Sequence, residues 1–190
     1  MTDDVSQHGP TGEHVLTEVD APRLLALAEP LERLYRACFA APPWNEDETH
    51  FAGFADRLAR HVAEPALRGF VAWSDDEPAA VVYGWPSAPE VPSTPFYTGA
   101  YTALDPGERY RLRPPAIEVV ELMVAPRHRG HRLGERLLEH FVEGFPRAWL
   151  CTHPEAPARR FYRARGWVER GAFSDANGVP LVVFTLDRAT

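Results

Sequence analysis

Between His14 and Val19 the residues HVLTEV alternate apolar and polar, a period of two that predicts a short strand. The period then lengthens. Asp20 and Pro22 mark a helix start, and Leu24, Leu25, Leu27, Leu31, Leu34 and Tyr35 form an apolar stripe running to about Phe39. Pro30 within that stripe is expected to bend or split the helix. After the loop AAPPWNEDE, a second stripe of Phe51, Phe54, Leu58 and Val62 predicts another helix. GFVAWSDDEPAAVVYGW reads as two strands about an Asp-Asp-Glu-Pro turn. From Pro86 to Pro115, prolines and glycines interrupt every period, so a long functional loop is expected there.

The second half is clearer. AIEVVELMV, Ala116 to Val124, is a strong strand, and LGERLLEHFVEGF is a helix with Leu133, Leu137, Leu138 and Phe141 on one side. RAWLCT, Arg147 to Thr152, is a short strand; APARRFYRARGW is a helix ended by Gly166. GVPLVVFTL closes the chain as a strand after the turn Asp175-Ala176-Asn177-Gly178. The predicted order is strand, two helices, three strands, helix, strand, helix, two strands, an α/β protein.

Length and charge narrow the possibilities. The 190 residues support one core, so residues 13–190 are read as a single domain behind a flexible tail over 1–12. A net charge of -7 argues against a broad nucleic-acid surface, and no apolar run reaches the roughly 20 residues that span a bilayer. The polar, acidic start lacks a signal-peptide core, and Cys38 and Cys151 suit a reducing cytoplasm better than a disulfide scaffold. His128, His131, His140 and His153 have no partner at ligand spacing, so no metal is expected. All 20 basic residues are arginine, a hint of a GC-rich bacterial genome.

Several of those arginines gather in VAPRHRGHRLGERLLEHF, where a strand end turns into a helix. The first turn of a helix leaves N–H groups unpaired at the positive end of its dipole. Gly130 and Gly134 remove side chains that would hold an anion away, while Arg129 and Arg132 can add charge-assisted hydrogen bonds. The natural guest is a phosphate or pyrophosphate; the plainer reading is a tight turn with solvated arginines. The stretch is neither a G-K-[ST] phosphate loop nor a dinucleotide G-x-G-x-x-G.

ELMVAPRHRGHRLGERLL resembles the acetyl-CoA motif V-x-P-x-x-R-G-x-G-x-G of the GNAT superfamily of N-acetyltransferases. Downstream, PARRFYRARGW is similar to that superfamily's A-x-x-F-Y-x-x-x-G-[FW], matching it at Ala158, Phe161, Tyr162, Gly166 and Trp167. The likeness covers Val15 to Leu186 in element order and Ile117 to Trp167 in motif. Arg132 departs from it, standing where the family usually has glycine.

The resemblance implies a GNAT-like mixed central sheet of about six to seven strands flanked by about four helices, splayed between the fourth and fifth strands. It implies acetyl-CoA as co-substrate, its pyrophosphate wrapped by Arg129, Gly130, His131, Arg132, Leu133 and Gly134. The pantetheine arm would pair with backbone near Met123 and Val124, with Cys151 and Thr152 bordering the acetyl group and Ala158 a further coenzyme-binding residue.

Acetyl transfer to an amine needs a neutral amine, a donor to the developing oxyanion and a proton for the leaving thiolate. Glu118 and Glu121 are the candidate bases. In a regular strand they point to opposite faces, Glu118 sharing its face with Val120, Leu122 and Val124 and expected deeper. By resemblance Tyr162 protonates the thiolate, feasible for a phenol of pKa about 10, and the N–H near Met123 polarises the carbonyl.

By the same resemblance, the acceptor site would be walled by the first two helices, their loop and the loop before the fourth strand. These supply Trp44, Asn45, Glu46, Asp47, Tyr83, Trp85, Phe96 and Tyr97, aromatic and acidic groups suited to a cationic amine. The reading is direct transfer in a ternary complex to a small-molecule primary amine, by a monomer or homodimer with no nucleic-acid or membrane partner. Two alternatives fit the same motifs: a non-catalytic acyl-CoA sensing module, and an enzyme acetylating protein N-termini or lysines.

Overall fold

The structure, a computed structural model, describes residues 14–188; the tail expected over 1–12 lies outside them. Seven strands form one sheet: β1 (Val15–Val19), β2 (Arg68–Ser74), β3 (Glu77–Pro86), β4 (Ala116–Val124), β5 (Arg147–Thr152), β6 (Val168–Ser174) and β7 (Pro180–Asp187). Their order is β1-β2-β3-β4-β5-β7-β6, and every neighbouring pair is antiparallel except β4 and β5. Among the described residues no helix is long and apolar enough to cross a membrane.

More helices are present than the apolar stripes imply. The first stripe breaks into α1 (Ala21–Ala26) and α2 (Ala28–Phe39) at Leu27, not at Pro30, which lies in the first turn of α2 where a missing N–H costs nothing. Asp20 caps α1 as expected, accepting from the N–H of Arg23 at 2.9 Å. The second stripe breaks at Gly53 into α3 (Glu48–Ala52) and α4 (Phe54–Val62).

The supposed long loop holds α5 (Pro95–Ala103) and a 3-10 segment over Pro106–Leu112. Its helix escapes a periodicity reading because PFYTGAYTA carries no charged face; Phe96, Tyr97 and Ala100 share a small core with Trp149, Phe173 and Val183 of the sheet. α6 (Leu133–Val142) and α7 (Pro157–Arg163) complete the set.

The sheet separates two cores. Along β3, Ala80 and Val82 enter the core under α6 and α7, whereas Val81 and Tyr83 enter the core under α1 to α4. β4 breaks this alternation: Ile117 and Val119 face α6, but so do Leu122 and Val124. The switch from odd to even is a β-bulge. Gly84 pairs with Val119 and Tyr83 with Glu121, leaving Val120 without a partner.

The other edge of β4 opens. Its parallel pairing with β5 covers Ala116–Arg147, Ile117–Ala148 and Glu118–Trp149 and then stops, although both strands continue. From Val119 to Val124 the β5-facing edge of β4 is unpaired. The expected splay between the fourth and fifth strands is present.

Candidate active site

A cavity of about 550 Å³ fills the splay and passes through the sheet, touching Tyr35 and Phe39 of one core and Leu122 and Tyr162 of the other. The bulge decides what lines it. Because β4 gains one residue at Val120, Glu118 and Glu121 both face the α1–α4 side and both reach the cavity. The expectation that they point to opposite faces is therefore corrected, as is the grouping of Glu118 with Leu122 and Val124.

Both carboxyls hold their protons tightly. Glu118 is 4% exposed and accepts a hydrogen bond of 2.9 Å from the Tyr97 hydroxyl. Burial pushes its pKa up to about 8; Glu64 adds to the rise, while Tyr97 and Trp85 oppose it. Glu121 is likewise pushed up to about 8 by burial, with Arg57 opposing and Glu46 adding. A carboxylate near that value suits a general base at neutral pH.

Tyr162 stands on α7 with 6% of its surface exposed and lines the same cavity. Its hydroxyl has no side-chain or backbone partner among the described residues, and burial together with Glu121 pushes its pKa up. Cys151 lines the cavity from β5, but burial and Glu118 push its thiol up as well, so it is no nucleophile at neutral pH. His61 is brought down to about 4 by burial, Arg57 and Arg60, and stays neutral within 3.1 Å of the Tyr83 hydroxyl.

Of the expected site residues, Glu118, Glu121, Thr152, Ala158, Tyr162, Trp44 and Tyr97 meet in this cavity, together with Glu46, Trp85 and Phe96. Tyr83 does not: it is fully buried in the core, one residue before the bulge. Asn45 sits at φ 49 in an exposed turn, and Asp47 caps α3 through the N–H groups of Thr49 and His50. Neither lines the cavity. Met123 is a core side chain, so only its backbone is available at the open edge. The Val124 carbonyl accepts from Arg129 Nε at 3.3 Å and Cys38 Sγ at 3.4 Å.

Glu64, Arg60 and His61 line the cavity from the end of α4. No local sequence pattern marks them, because they reach the site only through the packing of α4 on α1 and α2 and of His61 against Tyr83 and Trp85.

The turn before α6 leaves a run of backbone donors free. No backbone acceptor is found for the N–H groups of residues 130–135 among the described residues, and the first bond of α6 is Arg136 N–H to the Arg132 carbonyl at 3.0 Å. Gly130 takes φ +84 with open space where a Cβ would lie. Arg132 takes φ 57, the left-handed region that favours the glycine usual there.

The Arg132 side chain folds back onto Glu135 at 2.7 Å, and Glu135 also meets Arg165 at 3.2 Å. Gly134 stands in the first turn of α6, buried. A Cβ there would lie 3.4 Å from both Phe161 and Val124, an ordinary contact distance. Exposed His131 stands at the rim, its ring 5.9 Å from that of His14, and Leu133 is buried under α6. Among the described residues no group of three or more His, Cys, Asp or Glu side chains is placed to hold a metal ion.

The family model of the Acetyltransferase (GNAT) family matches residues 28–167, a span that includes both motifs, the bulge and the splay. The chain belongs to the GNAT acetyltransferase family. Solved structures of the same fold include an acetyltransferase from Thermus thermophilus, 20% identical with a TM-score of 0.62, covering 93% of this chain and 100% of that one. A second is the PaiA N-acetyltransferase from Thermoplasma acidophilum in complex with coenzyme A, 11% identical with a TM-score of 0.60, covering 93% and 99%. A third is the ribosomal-protein-S18-alanine N-acetyltransferase from Escherichia coli, 14% identical with a TM-score of 0.58, covering 94% and 96%. No curated protein matches the chain. These identities show the fold alone.

Proposed function

We propose that this GNAT protein is an acetyl-CoA-dependent N-acetyltransferase that acts on a small primary amine by direct transfer in a ternary complex. The observation that carries the reading is one cavity, open through the β4–β5 splay, holding Glu118, Glu121 and Tyr162 together. The free N–H groups over 130–135 fit a pyrophosphate, and the unpaired edge of β4 near Met123 and Val124 fits the amide groups of a pantetheine arm. Thr152 and Ala158 border the thioester end. Acetyl-CoA supplies the activated acyl group.

In this reading the acceptor enters past Trp44 and Trp85, whose faces favour an ammonium. Glu118, the base in this account, takes the ammonium proton. The amine nitrogen then attacks the thioester carbonyl: the C–N bond forms, the C–S bond breaks, the thiolate takes the Tyr162 proton, and the second proton of the amine nitrogen passes to water. The amide product retains the acetyl group and coenzyme A leaves as the thiol, so atoms and charge balance once Glu118 and Tyr162 exchange protons with solvent.

A panel of primary amines incubated with protein and acetyl-CoA, read by thiol release and by mass of the acetylated amine, tests the proposal. Thiol release matched by amide formation is the expected result. Tight coenzyme binding without turnover of any amine would favour a sensing module, and turnover confined to peptides would favour a protein acetyltransferase.

A further inference from the structure

The sequence places Tyr97 in the acceptor wall; the geometry points to a different task. Resting on the acetyl-transfer reading above, we infer that Tyr97, carried on α5, is a positioning residue that sets the Glu118 carboxylate for proton transfer.

Tyr97 is fixed from several directions. Its backbone N–H donates to Thr94 Oγ1, the cap of α5, at 3.4 Å. Its ring packs edge-on against Phe96 at 5.3 Å and against Trp149 at 6.1 Å, and Trp149 is itself held by a buried hydrogen bond from Nε1 to Ser87 Oγ at 2.9 Å. The hydroxyl then has one described partner, the Glu118 carboxylate at 2.9 Å. A phenol donating to an ionised carboxylate is a strong hydrogen bond and favours the charged form.

The helix that carries Tyr97 is pressed onto the far edge of the sheet. A Cβ at Gly99 would lie 2.4 Å from the Phe173 ring, and a Cβ at Gly171 would lie 2.0 Å from the Ala103 carbonyl. Helix and strand therefore each give up a side chain so that α5 can sit on β6. Phe96 meets Phe173 edge-on at 5.7 Å in the same contact. The close seating buries a small core of Phe96, Tyr97 and Ala100 against Trp149 and Phe173, and it also fixes the position of the helix start. The place it reaches is the point where β4 and β5 part.

The groups facing Glu118 are Tyr97 from α5, Trp85 from β3, Glu64 beyond α4 and Cys151 from β5. Burial and Glu64 favour its protonated form, and Tyr97 and Trp85 oppose them. Removing the hydroxyl leaves the carboxylate with less support and moves its pKa upward, so a larger share of the base is protonated at neutral pH.

The test is Tyr97→Phe, which keeps the ring. The kcat–pH profile at saturating acetyl-CoA should keep its shape, with its rising limb moved to higher pH by about one unit, as for loss of a hydrogen bond to a charged group. KM for both substrates should hold, and the parent rate should return on the alkaline side. An unmoved limb with raised acceptor KM would return Tyr97 to the substrate wall, and a uniform loss at every pH would make it structural.

Titration of the Glu118 carboxyl by 13C NMR, assigned with Glu118→Gln, gives the same shift without turnover. Failure of the acetyl-transfer reading is thus separable from failure of this one. Should Tyr97→Phe not fold, Gly99→Ala displaces α5 while keeping the hydroxyl; the limb should move in the same direction, and a folded Gly99→Ala protein with an unmoved limb would overturn the inference.

Discussion

Gly84 lies across from the bulge, and replacing it with alanine attacks the feature that brings two carboxylates into one cavity. A Cβ at Gly84 would lie 1.9 Å from the Glu118 carbonyl oxygen and 3.0 Å from Phe141 Cζ. Ordinary contact begins near 3.4 Å, so β3 and β4 must separate by more than about 1 Å at Glu118, and the atom in the way is backbone that cannot rotate aside. Overpacking of this kind costs about 1–3 kcal/mol, and a backbone clash belongs at the upper end.

At about 2–4 °C per kcal/mol for a chain of this size, Tm should fall by about 6–12 °C. A displacement of about 1 Å in a catalytic group costs about 10² in rate, so kcat of Gly84→Ala should drop by that factor at a temperature where the variant is still folded. Circular dichroism melts and single-turnover acetylation below the lowered Tm read the two effects separately. Parent values of both would refute the claim that Gly84 holds the bulge, and a lowered Tm with parent kcat would refute the claim that the bulge places the base.

Arg132→Gly should bind acetyl-CoA at least as tightly as the parent and melt higher. Glycine is free to take φ 57, and the Arg132 side chain, 76% exposed, is already engaged by Glu135. A tenfold loss of affinity with a weaker salt dependence, measured by isothermal titration, would show that the guanidinium leaves Glu135 for the phosphate. For Glu118 the carboxyl rises from an ordinary 4.5 to about 8, so between those pH values the unfolded chain has released a proton that the folded chain keeps. Its stability contribution is then fullest below 4.5 and declines as pH rises to 8. Glu118→Gln should flatten the fall of Tm over that window, while activity of the parent rises through it; equal slopes in both proteins would contradict the shift.

The parts of the molecule that follow local rules are legible in the sequence. β4 and β5 match AIEVVELMV and RAWLCT residue for residue, because buried strands need continuous apolar runs. Tyr162 and the turn before α6 are legible as motifs whose residue types the chemistry demands. What the sequence hides depends on distant partners. A bulge at Val120 leaves no compositional trace; its cause is the pairing with Gly84 across the sheet.

α5 has the composition of a loop, with proline, glycine and threonine and no charged face, and Tyr97 reads as a wall because its partner Glu118 lies on another element. Tyr83, equally aromatic and one residue before the bulge, is sealed in the core, and sequence has no means to tell these two tyrosines apart.

Tyr162→Phe tests most directly whether acetyl transfer occurs in the β4–β5 splay. The substitution removes one hydroxyl and keeps the ring that packs against Trp167 and Phe184 at 5.7 and 5.8 Å. Rapid-quench single-turnover measurements with saturating acetyl-CoA isolate the chemical step. That rate should fall by roughly 10² to 10⁴, the range for a lost general acid, with acetyl-CoA affinity little changed. A Tyr162→Phe protein that transfers acetyl at the parent rate, with chemistry limiting, would contradict a proton donor at this position.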